Sequence, residues 1–266
     1  WTEGNLFAAA VMDGIPVLRN EKGEYPEANG KIASEAASRT ICDKLRSVNL
    51  DSDAERKMIE AFDSANNAIR AENSARELYT QNHPMWLGTV GCALWGQAGK
   101  NKIIFGFIGD PIGFVLKKSG EFYLLAEDQL LDFHSHIHLR HREKNELRVR
   151  FWQDEYVRNR IDAKCWCAIE LEGWGALNGQ PSAMEFVRIS ELEAAPGDRI
   201  ILASDAICIL SPTKTEPRRP EDYRGVLESI RGVNPENAAK ELLRITRERE
   251  REKDKSDDAT FLIIDL

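Results

Sequence analysis

Between Trp86 and Leu125, four apolar runs follow one another with no room for a helix between them. They are WLGTVGCALWGQ (86–97), KIIFGFIG (102–109), IGFVLK (112–117) and the run from Glu121 to Leu125. Lys118-Ser119-Gly120 makes a tight turn between the last two. Parallel neighbours need a crossover of a dozen or more residues, so these runs must pair antiparallel, as a meander.

The flanks read differently. From Asn5 to Met12 a short Ala- and Val-rich run stops at the turn dipeptide Asp13-Gly14, and a polar loop spans 19–30. Ile32, Ala36, Ile41 and Leu45 fit a helix over 31–50. A second helix starts near Ser52, buries Met58, Phe62, Ala65 and Ile69, and fades before His83-Pro84. Residues 128–165 are polar and read as an inserted flap. Met184 to Ile189 reads as a short strand, and Ala195-Pro196-Gly197-Asp198 as a turn. Arg199 to Ser204 is a buried strand. Two helices follow the Pro-rich loop, the second capped by Asn234 with Pro235 at its first position. RERERE, at the end of that region, reads as a solvated helix face, and Thr260 to Leu266 is a closing strand. Strands and helices come in blocks. The expected fold is α+β, an antiparallel β-sandwich with helices on both outer faces (αββα), in one domain over 1–266. Apolar residues at 42% suffice for its core.

Four of the apolar runs stop at, or start from, an acid: Asp13, Asp110, Asp205 and Asp257. A carboxylate beside a core is costly unless something neutralises it. Hard divalent cations do so through oxygen ligands, which favours Mg2+ or Mn2+ over Zn2+. Each Asp taken singly is more often a turn former or helix cap.

The net charge of −8 argues against nucleic acid or an acidic membrane as the main partner. No apolar run approaches the roughly 18 residues of a membrane span, and no basic-then-apolar leader is visible. Five scattered Cys suit a reducing cytoplasm.

In order, these segments resemble the metal-dependent protein phosphatases of type 2C, the PPM-type serine/threonine phosphatases. VMDG resembles the family's first Asp-Gly strand end, and GKIASEAASRTICDKL the helix after it. LGTVGCALW is similar to its Gly-Ser/Thr-Thr strand, and GFIGDPIGFVLKKSGEFYLLAEDQ to its Gly-Asp-Ser hairpin. PGDRIILASDAI resembles its Ser-Asp-Gly strand, and SDDATFLIIDL its closing strand. The resemblance implies hydrolysis of phosphoserine and phosphothreonine in proteins by a metal-activated water, with no protein nucleophile. It implies that Asp13 bridges two Mn2+ or Mg2+ ions, that the Gly14 carbonyl binds one, and that Asp205 and Asp257 hold the other. Asp110, with Asp205, would match a weaker third site. The partners implied are a phosphorylated protein and a cognate serine/threonine kinase.

The sequence also departs from the family. Ile15-Pro16 follows Asp13-Gly14, where the family has His or Met and then Gly-Gly, so no His general acid stands there. Pro111 replaces Ser after Asp110, and Ala206 replaces Gly after Asp205. The family's opening strands, with a phosphate-binding Arg and a metal-binding acid, are expected to precede Trp1.

The flap carries His134, His136, His138 and His141, with Cys165 and Cys167 at its end; no closed four-ligand spacing marks a transition-metal site. Arg140, Arg142, Arg148, Arg150, Arg158 and Arg160 make it basic. Arg148, Arg150 and Arg158 are the candidates for recognising a phosphorylated substrate. Trp166 and Trp174 read as core. Two functional classes stand: an active phosphatase, and a catalytically weak or inactive phosphatase-like module that binds or regulates.

Overall fold

The computed structural model describes residues 2–3, 6–15, 29–47, 53–78, 86–97, 100–126, 129, 159, 163–164, 170–171, 174–210, 219–253 and 258–266. Its elements, in chain order, begin with strands β1 (Thr2–Glu3) and β2 (Leu6–Gly14) and helices α1 (Asn29–Arg46) and α2 (Ala54–Ala75). Strands β3 (Thr89–Gln97), β4 (Lys102–Ile108), β5 (Ile112–Leu116) and β6 (Phe122–Leu124) follow. Then come β7 (Ala163–Lys164), β8 (Glu170–Leu171), β9 (Arg188–Glu193) and β10 (Arg199–Ala203). Helices α3 (Arg224–Ser229) and α4 (Pro235–Lys253) precede the last strand, β11 (Phe261–Asp265).

The strands form two antiparallel sheets. One has the order β1-β2-β3-β4-β9, the other β11-β10-β5-β6, and β7 and β8 pair separately. Helices α1 and α2 cover the first sheet and α4 covers the second, which is the expected four-layer sandwich. The period of two explains the layering. Along β3, Ala93 and Trp95 face the helices while Cys92 and Leu94 face the other sheet. Along β10, Ile201 and Ala203 face outward to the α3–α4 region, and Ile200 and Leu202 face the first sheet. Strands buried on both faces must be apolar throughout, and these are.

Three sequence expectations change. The meander is split: β3 and β4 stay in the first sheet, whereas β5 and β6 belong to the second. The switch occurs over Gly109-Asp110-Pro111. Gly109 has φ +83°, Pro111 has no N–H to continue a ladder, and Gln129 Oε1 accepts the Gly109 N–H at 2.9 Å. Second, the buried face of α1 is Ala33, Ala37, Ile41 and Leu45, while Ile32 and Ala36 are only half-buried. Small side chains at 33 and 37 let α1 lie close against α2 and β2. On α2 the expected stripe holds; Met58, Phe62, Ala65 and Ile69 are fully buried, and the larger ones each contribute about 1.5–3 kcal/mol. Third, Pro181–Phe186 is a 3-10 turn rather than the start of a strand, because Pro181 opens it with a fixed φ; β9 begins only at Arg188.

The N-cap of α4 is as expected, with Asn234 Oδ1 accepting the Asn237 N–H at 2.9 Å. Most of the charged run pairs along the exposed helix face, but Glu250 is buried and bonded by Arg247. Among the described residues, Cys42, Cys92 and Cys208 are not joined in disulfides. Trp174 is half-buried, and among the described residues no helix is long and apolar enough to cross a membrane.

Candidate metal centre

Register brings the strand-ending acids to one rim. In the first sheet, Asp13 pairs with Val90 and Gly14 with Thr89, and the adjoining Gly91 pairs with Ile108 of β4. In the second sheet, Ala203 pairs with both Ile112 and Phe261. Asp205 just follows Ala203, Asp110 just precedes Ile112, and Asp258 just precedes Phe261. The three-residue crossing 109–111 joins this end of the second sheet to the Asp13 end of the first. Asp13, Asp110 and Asp205 are each half-buried there.

The Asp13-Gly14 backbone is held from both sides. Thr89 Oγ1 donates to the Asp13 carbonyl at 2.5 Å, and the Ile15 N–H donates to the Gly88 carbonyl at 3.0 Å. No described peptide is cis, so C=O and N–H point opposite ways across the Gly14–Ile15 bond. The Gly14 carbonyl therefore points away from β3, toward the first turn of α1. The approach there is close: a Cβ on Gly30 would lie 2.9 Å from the Gly14 oxygen, and one on Gly14 would lie 2.2 Å from the Gly30 carbonyl carbon. Both positions need glycine for that reason.

At Asp205, the preceding residue clamps the closing strand. Ser204 Oγ donates to the Asp258 carbonyl at 3.0 Å and accepts the Thr260 N–H at 3.2 Å, while the Ser204 N–H reaches the Thr260 carbonyl at 3.1 Å. Asp205 itself opens a 3-10 turn. Ala206 and Pro111, which stand where the resembled family has Gly and Ser, are both buried.

Asp257, Arg148, Arg150 and Arg158 lie outside the described residues, as do the four flap histidines, Cys165, Cys167 and Trp166. Among the described residues, no three His, Cys, Asp or Glu side chains gather closely enough to hold a metal ion by themselves. The donors the rim does offer are carboxylates and one backbone carbonyl, oxygen throughout. That chemistry fits a hard divalent cation.

Sequence reading missed Thr89 and the residues behind it. Asn73 continues the buried α2 stripe that runs through Met58, Phe62, Ala65 and Ile69, and it is fully buried. A polar residue at a core position of a helical stripe is itself a signal. Its carboxamide bonds both Leu87 and Asn178.

Comparison with known proteins gives the same fold. The family described as Protein phosphatase 2C matches residues 1–244. Among solved structures, the Mycobacterium tuberculosis serine/threonine phosphatase PstP/Ppp is 19% identical with a TM-score of 0.63, covering 100% of this chain and 90% of that one. The catalytic domain of PstP in complex with 2 manganese ions is 20% identical with a TM-score of 0.59, covering 100% and 89%. PppA, described as a key regulatory component of T6SS in Pseudomonas aeruginosa, is 17% identical with a TM-score of 0.54, covering 98% and 97%. No curated protein matches. At these identities the structural likeness speaks for the fold alone.

Proposed function

We propose a function from the premise that this chain belongs to the protein phosphatase 2C family: it hydrolyses phosphoserine and phosphothreonine in protein substrates with the help of Mn2+ or Mg2+. The observation that supports this reading is the register that puts Asp13, Asp110 and Asp205 at the same end of the two sheets, with the Gly14 carbonyl turned away from β3. Asp13 and the Gly14 carbonyl would hold one cation, with Asp13 shared toward a second held by Asp205 and Asp257. Asp110 would join Asp205 at a weaker third position. Bound there, a pair of such cations supplies a water acidic enough to attack phosphorus at neutral pH. The protein's part is to keep the carboxylates in register on strand ends, where packing allows little movement.

Arg148, Arg150 and Arg158 would bind a phosphoprotein outside the reacting centre, opposite a cognate kinase in the same signalling pair. Neutralising all three weakens turnover of a phosphoprotein and leaves a small aryl phosphate nearly untouched. Equal loss of both activities would move them into the catalytic centre. The five scattered cysteines of the sequence suit a cytoplasmic setting.

The test is Mn2+-dependent release of phosphate from a phosphothreonine peptide by the wild-type chain and by Asp13→Asn. The expected result is turnover that needs the metal and vanishes in the variant. Turnover indifferent to chelator would defeat the reading. The second reading, a weak or inactive module, draws on buried Pro111 and Ala206 beside the acids. It is the outcome if the peptide binds but is not hydrolysed.

A further inference from the structure

A buried set of carboxamides stands directly behind the Asp13 strand end. On α2, Asn66 Oδ1 accepts the N–H groups of Asn178 and Gly179, and its Nδ2 donates to the Gln180 carbonyl. One heptad on, Asn73 Oδ1 accepts the Leu87 N–H at 2.7 Å, and its Nδ2 donates to the carbonyls of Leu87 at 3.2 Å and Asn178 at 3.0 Å. The side chain of Asn178 is bonded in turn by Asn159, whose φ is +57°. Asn66, Asn73, Asn159 and Asn178 are each at most 2% exposed.

Asn73 thus grips both chains that flank Thr89. Leu87 is two residues before it, and Leu177 exchanges N–H···O bonds with Thr89 in both directions at 2.9 Å. Beyond this grip lie the two bonds that orient Gly14: Thr89 Oγ1 to the Asp13 carbonyl, and the Ile15 N–H to Gly88. Only a carboxamide serves here, because one end must accept an N–H while the other donates to two carbonyls. An apolar residue of the same size would make none of these three bonds to backbone groups.

We infer that Asn73 is a positioning residue for the candidate metal centre, acting through Leu87 and Thr89 to aim the Gly14 carbonyl and the Asp13 carboxylate at one cation. The inference rests on the proposed function. A partner that orients a ligand without touching the metal typically changes metal affinity by about 10–100-fold when removed.

The experiment is direct Mn2+ binding to the whole chain, read calorimetrically and by the EPR signal of free Mn2+, without substrate. Asn73→Leu should raise the Mn2+ dissociation constant about 10-fold or more. Thr89→Val should do the same, and Thr89→Ser, which keeps the hydroxyl, should bind like wild type. The double variant Asn73→Leu/Thr89→Val should bind no more weakly than the worse single one, since both act through one path. Leu242→Ala, in the core on the far side of the second sheet, should cost stability and leave Mn2+ affinity unchanged; weakened binding there too would reduce Asn73 to a general structural role. Wild-type affinity in Asn73→Leu, while Asp13→Asn abolishes binding, overturns the inference alone. If Asn73→Leu does not fold, Thr89→Val decides: wild-type affinity in it overturns the inference. A wild-type chain that binds no Mn2+ overturns both the inference and the proposed function.

Discussion

Asp198 and Asp205 flank opposite ends of the same five-residue strand, β10. At the far rim Asp198 and Asp265 are bonded within the protein. Asp198 accepts the N–H groups of Ala195 and Lys118, each at 2.9 Å, and the Lys117 ammonium at 2.8 Å. Beside it, Arg199 makes a two-bond pair with Asp265 at 2.6 and 2.8 Å and donates to the carbonyls of Ile230 and Val233. These contacts staple the α3–α4 connection and the last strand to the sheet. At the near rim, Asp13, Asp110 and Asp205 sit where strands end and the chain passes between sheets. The same residue type at the same kind of position thus serves the fold at one end and, in our reading, a cation at the other.

The comparison breaks most easily at the near rim. Asp205→Asn should lower kcat/KM for a phosphopeptide by about 1,000-fold or more, roughly 4 kcal/mol of transition-state stabilisation. Its thermal midpoint in excess chelator should match or exceed that of wild type, because one charge fewer relieves repulsion among the acids. A midpoint well below wild type in chelator would make Asp205 structural, like Asp198.

Arg199→Met should show the reverse pattern. The buried Ile230 carbonyl and the half-buried Val233 carbonyl lose their donor, at a cost of about 2–3 kcal/mol; Asp265 is partly exposed, so the ion pair itself adds little. Urea unfolding should report that loss, while kcat/KM of the folded fraction stays within about twofold of wild type.

A pH series sharpens the contrast. Burial alone would raise the Asp198 carboxyl, but the Ala195 N–H, the Lys117 ammonium and the Lys118 N–H outweigh it and hold it below the ordinary range. A depressed folded value means stability that is present above the unfolded value, about 3.9, and lost as pH falls through the folded one. Acid unfolding of Asp198→Asn should therefore be flatter below about pH 4 than that of wild type, and a parallel curve would remove Asp198 from the account.

The smallest effect belongs to neither rim. Asn234→Ala should cost about 1 kcal/mol by uncapping α4, with no change in Mn2+ affinity. Circular dichroism melts measure the first, and calorimetry the second.

Much of this was legible in residue order. Closely spaced apolar runs along 86–125 announced antiparallel strands, the 58–62–65–69 spacing announced the buried face of α2, and Asn234-Pro235 announced the start of α4. The near-rim acids could be picked out because each interrupts an apolar run, and apolar runs are rarely interrupted by charge without a reason. Asp198 looked like a mere turn residue, since its partners Lys117 and Lys118 lie some eighty positions away.

Local pattern, then, determined the element types, the antiparallel pairing and which carboxylates terminate strands, because periodicity and turn chemistry act over a few neighbouring residues. Only the tertiary structure decided that β4 and β5 part into different sheets, that Asp13, Asp110 and Asp205 fall at the same end of the two sheets, and that Asn73 bonds the segments flanking Thr89. Those outcomes depend on which distant backbone groups each residue meets, and a hydrogen bond between positions 73 and 178 leaves no trace in either neighbourhood alone.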